Sequence, residues 1–221
     1  MDNSNKYDAD DFRNLEPWRI FRIMAEFVDG FESMARVDSG VSVFGSARTP
    51  PGDRYYRMAV ELGRELTLEG YTVITGGGPG IMEAANKGAR EANGVSIGLN
   101  IDLPFEQKPN PFIGKLLNFR YFFCRKVMFS KYSQAIVAFP GGLGTMDELF
   151  EHLTLVQTRK IPPMAVILVG GDFWKGMLEW VEKTMLGWKY INPEDRELYV
   201  LADTVGDVMK TLNRLSPPKS R

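Results

Sequence analysis

A chain of 221 residues, 44% hydrophobic and 25% charged, is long enough for one large or two small packed domains. Its formal net charge of −1 argues against a general binder of nucleic acid or membrane surfaces, and no apolar run could span a bilayer. The acidic N-terminus is unlike a secretory signal, and the single Cys124 cannot form an intrachain disulfide, which favours the cytoplasm. One cysteine and one histidine, His152, also leave no cluster for a metal.

The first segments lie outside any β-α repeat. Residues 1–16 are acidic and poor in large apolar side chains, which predicts a disordered tail, and residues 17–216 are predicted to form a single domain. Residues 18–31 have helical apolar spacing, so we expect an extra N-terminal helix that packs on the domain or on a partner chain.

Apolar runs then alternate with helical patterns. Strands are predicted at residues 40–45, 71–75, 94–99, 135–139, 164–169 and 198–201. Helices are predicted at residues 55–69, 81–92, 120–132, 145–158, 173–185 and 204–215. Residues 100–118, with three prolines, read as a long irregular connection that helps to shape a binding pocket. The alternation predicts an α/β fold: a doubly wound, Rossmann-like parallel sheet in three layers.

Glycine-bearing turns follow three of the predicted strands, at the edge where such sheets bind ligands. The candidate binding residues there are Gly45, Ser46, Gly76, Gly77, Gly78, Gly80, Gly141, Gly142, Gly144 and Thr145. Missing side chains let the backbone turn tightly or approach a ligand, and a helix N-terminus favours a phosphate. Each turn alone could be tight packing, but together they favour a nucleotide or sugar phosphate.

The turn at 141–144 has a second interpretation. Thr145 and Glu148 match the Thr-x-x-Glu capping box, which would cap the helix without any ligand. Three glycines in the four preceding positions favour a phosphate loop instead. Neither G-x-G-x-x-G nor a Walker sequence is present, which disfavours a plain NAD site or a P-loop NTPase. No cofactor is predicted.

Charged residues near these turns are candidates for chemistry. Arg125 shares a helix face with Phe122, Met128, Phe129 and Tyr132, where it either meets an anion or extends its head to water. Lys126 and Lys131 lie off that face and are expected to be solvated. Asp147 is expected to point outward, and the pair Glu148–His152 to be a surface contact. Glu83 either favours the helix dipole or accepts a hydroxyl in the site.

Two motifs carry a family resemblance. Pro140-Gly-Gly-Leu-Gly-Thr-Met-Asp-Glu148 resembles PGGxGTxxE, the signature of the LONELY GUY family of cytokinin riboside 5′-monophosphate phosphoribohydrolases. The stretch from Gly76 to Gly88 is similar to the family's second motif, and residues 98–104 and 121–128 are similar to its bacterial branch, often labelled "lysine decarboxylase". The resemblance covers roughly residues 38–186.

The resemblance implies hydrolysis of the N-glycosidic bond of a nucleoside 5′-monophosphate by a homodimer or higher homo-oligomer. The family's essential Arg and Glu correspond to Arg125 and Glu148, the predicted catalytic residues. The competing hypotheses are a nucleotide sensor that binds without hydrolysis, and a pyridoxal-phosphate decarboxylase, for which no convincing lysine is seen. The base preference is not readable from the sequence.

Overall fold

The computed structural model describes residues 18–103 and 108–218, so the predicted tail 1–16 lies outside the described residues. Seven helices alternate with seven strands across these two ranges. The helices are α1 (Arg19–Met34), α2 (Arg54–Leu68), α3 (Ile81–Glu91), α4 (Phe122–Tyr132), α5 (Leu143–Gln157), α6 (Gly171–Trp180) and α7 (Val205–Leu215). The strands are β1 (Gly40–Phe44), β2 (Thr72–Thr75), β3 (Ser96–Ile101), β4 (Lys115–Phe119), β5 (Ser133–Ala138), β6 (Ala165–Val169) and β7 (Val200–Ala202). A π-helical segment, Val181–Leu186, extends α6, and a 3₁₀ helix, Pro193–Leu198, precedes β7.

The seven strands form one sheet in the order β4-β3-β2-β1-β5-β6-β7, and every neighbouring pair is parallel. The chain builds outward from β1 to β4 on one side, then returns to β5 on the other side of β1. This reversal is the topological switch point of a doubly wound sheet, where ligands bind. The predicted α/β fold with an extra N-terminal helix is confirmed.

Two apolar cores cover the two faces of the sheet. One consists of inward side chains of α2, α3 and α7, and the other of side chains of α1, α4, α5 and α6. The inner strands β1 and β6 are buried along their whole length, as expected for strands that are covered on both faces. The predicted three layers follow from this arrangement.

Residues 100–118 are not a wholly irregular connection as predicted, because β4 lies at their end. It pairs with β3 in register from Ile97↔Lys115 to Ile101↔Phe119. As an edge strand it turns only Leu117 and Phe119 into the core, a pattern too short to be recognised in the sequence. The predicted sixth strand is therefore the seventh.

Helix α1 packs on α4 through its inner side chains and leaves an apolar outer face. Rings of Phe27 and Phe123 lie 6.5 Å apart, and the Tyr132 hydroxyl donates to the Phe31 carbonyl. Within residues 18–103 and 108–218, no helix has the length and apolar character that crossing a membrane requires.

Candidate active site

The turns after β1 and β5 meet at the switch point. Helix α2 follows β1 onto one face of the sheet and α5 follows β5 onto the other, so the chain diverges there and leaves a crevice. The Ser46 amide donates to the Pro140 carbonyl at 3.0 Å, which ties the two turns together. The first and third predicted glycine turns are therefore brought side by side.

Helix α5 begins without a side-chain cap. Its N-cap is Gly142, and a Cβ added at Gly142 or Gly144 would meet no described atom within 4 Å. Gly141 differs, since a Cβ there would lie 2.1 Å from the Thr145 hydroxyl oxygen. The amides of Leu143 and Gly144, the first two of α5, lack an intrahelical acceptor, and bare glycines leave this backbone accessible to an anion.

The capping-box interpretation is wrong. Thr145 lies inside α5, where its amide donates to the Gly142 carbonyl at 3.0 Å and its side chain covers Gly141. Glu148 lies in the second turn and makes no hydrogen bond to the N-cap residue. Three glycines and a buried threonine thus shape this turn, and the carboxylate is left for another purpose.

The second turn, residues 76–80, rests on a buried network of polar side chains. The Asn110 side-chain amide donates to the carbonyls of Gly77 and Gly78 and to the Asn86 side-chain oxygen, at 3.0 to 3.2 Å. Thr75 donates to the same Asn86 oxygen at 2.7 Å and accepts from the Gly77 amide at 3.0 Å. Because buried polar groups that are fully bonded rigidify their surroundings, this network holds the turn in one conformation.

Sequence reasoning missed Asn86 and Asn110. The available signal was Asn86 itself, a polar residue on the apolar face of the predicted helix 81–92. Nothing in the sequence paired it with Asn110, because the two residues meet only when β3 and the chain after it close over the turn.

Gly45 and Gly80 are required by packing between turns. A Cβ at Gly45 would lie 2.7 Å from three Ile81 atoms, and one at Gly80 would lie 2.3 Å from the Ser46 carbonyl oxygen. Gly80 also has φ +69°, a conformation that favours glycine. That Gly45, Ser46 and Gly80 contact a substrate stays a prediction.

Arg125 and Glu148 face each other from α4 and α5. Arg125 Nη2 lies 3.6 Å from Glu148 Oε1, and the two side chains are only 13% and 4% exposed. The guanidinium also lies over the Phe122 and Phe129 rings, 5.1 and 5.8 Å from their centroids. A Cβ at Gly76 would be 3.9 Å from Arg125 Nη1, so this pair lies beside the second glycine turn. Of the two alternatives predicted for Arg125, the structure shows contact with an anion, the Glu148 carboxylate.

The pair has unused hydrogen-bonding capacity. Among the described residues, neither carboxylate oxygen of Glu148 nor Arg125 Nε has a hydrogen-bond partner, although these atoms are buried. Burial raises the pKa of Glu148 to about 7, against the opposing charges of Lys126 and Arg125. Such orphaned polar atoms cost free energy unless a ligand satisfies them, and perturbed carboxyls of this kind cluster at functional sites.

Two neighbouring residues differ from expectation. His152 is fully buried rather than a surface residue: its Nδ1 lies 2.7 Å from the Glu148 carbonyl and its ring packs near Phe44. Burial lowers the pKa of His152. Lys126 is not solvated but ion-pairs with Asp147 at 2.9 Å and with Glu151. Asp147 is largely exposed, as predicted, yet it also holds Lys126.

Glu83 belongs to the opposite face of the sheet. It lies in the first turn of α3, half-buried, and accepts a hydrogen bond from the Tyr56 hydroxyl of α2 at 2.8 Å. It thus accepts a hydroxyl, but from this chain's own tyrosine. Its predicted contact with a substrate stays a prediction.

The chain is similar to known proteins. A family model described as "possible lysine decarboxylase" matches residues 82–212, which include Glu83, Arg125 and the whole 140–148 motif. A protein of Oryza sativa subsp. japonica, probable cytokinin riboside 5′-monophosphate phosphoribohydrolase LOGL5, is 29% identical over 76% of this chain and 70% of its own length. Cytokinin riboside 5′-monophosphate phosphoribohydrolase LOG3 of Arabidopsis thaliana is 27% identical over 82% of this chain and 85% of its own.

A solved structure supports the same relationship. The X-ray structure of TM1055 has a TM-score of 0.62 and 26% sequence identity, and the match covers 80% of this chain and 99% of that one. The family model matches more than half of the 221 residues. The chain therefore belongs to the possible lysine decarboxylase family, which is the family of the LONELY GUY (LOG) proteins.

Proposed function

We propose that this protein hydrolyses the N-glycosidic bond of a nucleoside 5′-monophosphate, AMP or a cytokinin riboside monophosphate, and releases free base and ribose 5-phosphate. The observation that carries the proposal is the buried pair Arg125–Glu148 beside the second and third glycine turns: Arg125 Nε and both carboxylate oxygens of Glu148 lack hydrogen-bond partners among the described residues. The names of the rice and Arabidopsis relatives support the same reaction.

The 5′-phosphate would bind at the start of α5. The amides of the first helical turn and the positive end of the helix dipole favour an anion there. Gly142 and Gly144 leave that backbone uncovered, and the Thr145 side chain lies over Gly141 at the same place. A phosphate bound there would place the sugar toward the carboxylate of Glu148, one turn further along the helix.

Glu148 would act on the sugar carbon that carries the base. Departure of the base leaves positive charge on the ribose, as in glycoside cleavage, and a buried carboxylate stabilises such a charge or orients the attacking water. Arg125 would hold the phosphate or the sugar and keep the scissile bond beside Glu148. Bound substrate would also satisfy the atoms of both residues that now lack partners.

The proposal is tested by incubating the purified protein with AMP and separating the products by chromatography. We expect free adenine and ribose 5-phosphate in equal amounts, with no release from adenosine, which lacks the phosphate. A panel of monophosphates then identifies the base. Saturable AMP binding without release of adenine would instead favour the non-catalytic nucleotide sensor, and neither binding nor release would refute both functions.

The decarboxylase reading requires a lysine that forms a Schiff base with pyridoxal phosphate. Lys126 is the lysine beside Glu148, and it is held by two other carboxylates. Although burial opposes the charge, hydrogen bonds with Asp147 and Glu151 raise the pKa of Lys126, which is the opposite of what an attacking amine needs. The residues at this crevice do not fit that cofactor.

The predicted homo-oligomer is also part of the proposal. Apolar side chains on the outer faces of α1 and α4 are about half exposed or more: Ile20, Phe21, Met24, Val28, Phe122 and Phe123. Several exposed apolar side chains on two helices in contact favour an association surface, and a net charge of −1 does not keep copies apart. We expect sedimentation equilibrium to give a mass of at least two chains, and Phe21→Ser with Met24→Ser to reduce it. A monomer at micromolar concentration would contradict this expectation.

A further inference from the structure

Lys126 is the centre of a charge cluster at the edge of the proposed active site. Its ammonium lies 2.9 Å from Asp147 and 3.8 Å from Glu148 Oε2, and it also pairs with Glu151. All three acids belong to α5, whereas Lys126 belongs to α4. Its side chain is only 16% exposed, and lysine is rarely so enclosed unless it is paired.

Two neighbouring cations on α4 each lie near one oxygen of the Glu148 carboxylate. Arg125 approaches Oε1 and Lys126 approaches Oε2, each at a distance too long for a hydrogen bond. Their charges therefore act on Glu148 without occupying its lone pairs, which remain available for substrate or water. Because the site is poorly solvated, a cation at this distance has a large effect on the ionisation of Glu148.

We propose that Lys126 is a positioning residue for the hydrolysis: anchored by Asp147 and Glu151, its ammonium favours the ionised form of Glu148 and orients the carboxylate in the crevice. The inference rests on the proposed function. It assigns to Lys126 an electrostatic role that is separate from substrate contact, since its three ion-pair partners enclose the ammonium.

The charged groups that face Glu148 come from two helices. Arg125 and Lys126 on α4 lower its pKa, while Asp147 and Glu151 on α5 raise it together with burial, the largest cause. His152, also on α5, contacts Glu148 at its backbone carbonyl, and burial lowers the pKa of His152. Removing the Lys126 charge must therefore raise the pH at which Glu148 ionises, whereas removing Asp147 must lower it.

The experiment measures Glu148 directly. In protein labelled with ¹³C at the glutamate carboxyl carbon, the Glu148 signal is assigned by its loss in Glu148→Gln and followed from pH 4 to pH 9. We expect Lys126→Met to raise the titration midpoint by about one pH unit, the usual effect of one close charge, and Lys126→Arg to restore it. The acidic limb of the pH profile of kcat/KM for AMP is expected to move by the same amount.

Two further variants are controls for unfolding and for the change in net charge. Asp147→Asn, at a largely exposed position, is expected to lower the midpoint. Lys131→Met removes the same charge from the exposed side of α4, where the ammonium lies 5.4 Å from the Phe31 ring centroid, and is expected to leave the midpoint unchanged.

The outcomes separate the two proposals. An unchanged midpoint in Lys126→Met, or an equal shift in Lys131→Met, would overturn the role of Lys126 whatever the activity. A shifted midpoint with an unmoved acidic limb would overturn its part in the reaction. If the wild-type protein releases no base, the proposed function is refuted, while the carboxyl titration still tests the effect of Lys126 on Glu148.

Discussion

Replacing Glu148 with Gln is expected to lower the rate of adenine release from AMP by about 10²–10⁴-fold, the usual size of acid–base and charge-stabilising effects, without loss of the fold. Gln keeps the shape of the side chain and removes the charge. KM for AMP is expected to change little, because the proposed phosphate site consists of main-chain amides at the start of α5 and does not include Glu148. The measurement is kcat by chromatography of the released base.

A matched control lies one turn further along α5. Glu151→Gln makes the same substitution beside the same lysine, at a side chain that is 30% exposed and pairs with Lys126. We expect less than a tenfold loss for it. Near-normal turnover in Glu148→Gln would discard Glu148 as the catalytic carboxylate, and equal losses in the two variants would point to a general disturbance of α5.

The sequence predicts the crevice more reliably than its electrostatics. Glycine turns can be placed because they follow apolar runs, and the alternation of strands and helices puts those turns on one edge of the sheet. The family motifs predict Arg125 and Glu148 as catalytic residues, and the two side chains face each other from α4 and α5. Helical spacing alone left the partner of Arg125 open.

The partners of Lys126 and His152 could not be predicted, for a physical reason. A helical wheel shows which residues share an arc but not which arc another element covers. Lys126 has its partners on α5, some 20 residues away in sequence, and His152 is covered by Phe44 of β1. Such contacts depend on how helices pack on the sheet, and single-sequence periodicity carries no information about that packing.

The strand β4 was missed for a different reason. Its sequence, Lys115–Phe119, has only two inward side chains and three exposed ones, as an edge strand can, and it follows a proline-bearing stretch. Asn110, in the stretch that leads to β4, donates to carbonyls of the glycine turn at 76–80. Part of the predicted binding loop is therefore scaffold for the site.

The stability of the protein is expected to depend on pH through Glu148. Below pH 4.5 the group is protonated in both states. Between its ordinary pKa of 4.5 and its folded pKa of about 7 the unfolded chain loses the proton while the folded chain keeps it, so stability falls as pH rises. Above pH 7 the full cost is present, of the order of 3 kcal/mol for a shift of this size.

Glu148→Gln removes this titration, so its free energy of unfolding should rise relative to the wild type by about 2–3 kcal/mol between pH 5 and pH 8. Urea unfolding of both proteins across that range measures the difference. An effect of the new amide that does not depend on pH shifts the stability difference equally at every pH. The test is therefore the slope of that difference against pH. Parallel stability curves would mean that Glu148 ionises at its ordinary pH in the folded protein. Glu148 would then not be a desolvated carboxylate, and the assignment of the active site, which depends on that desolvation, would fail.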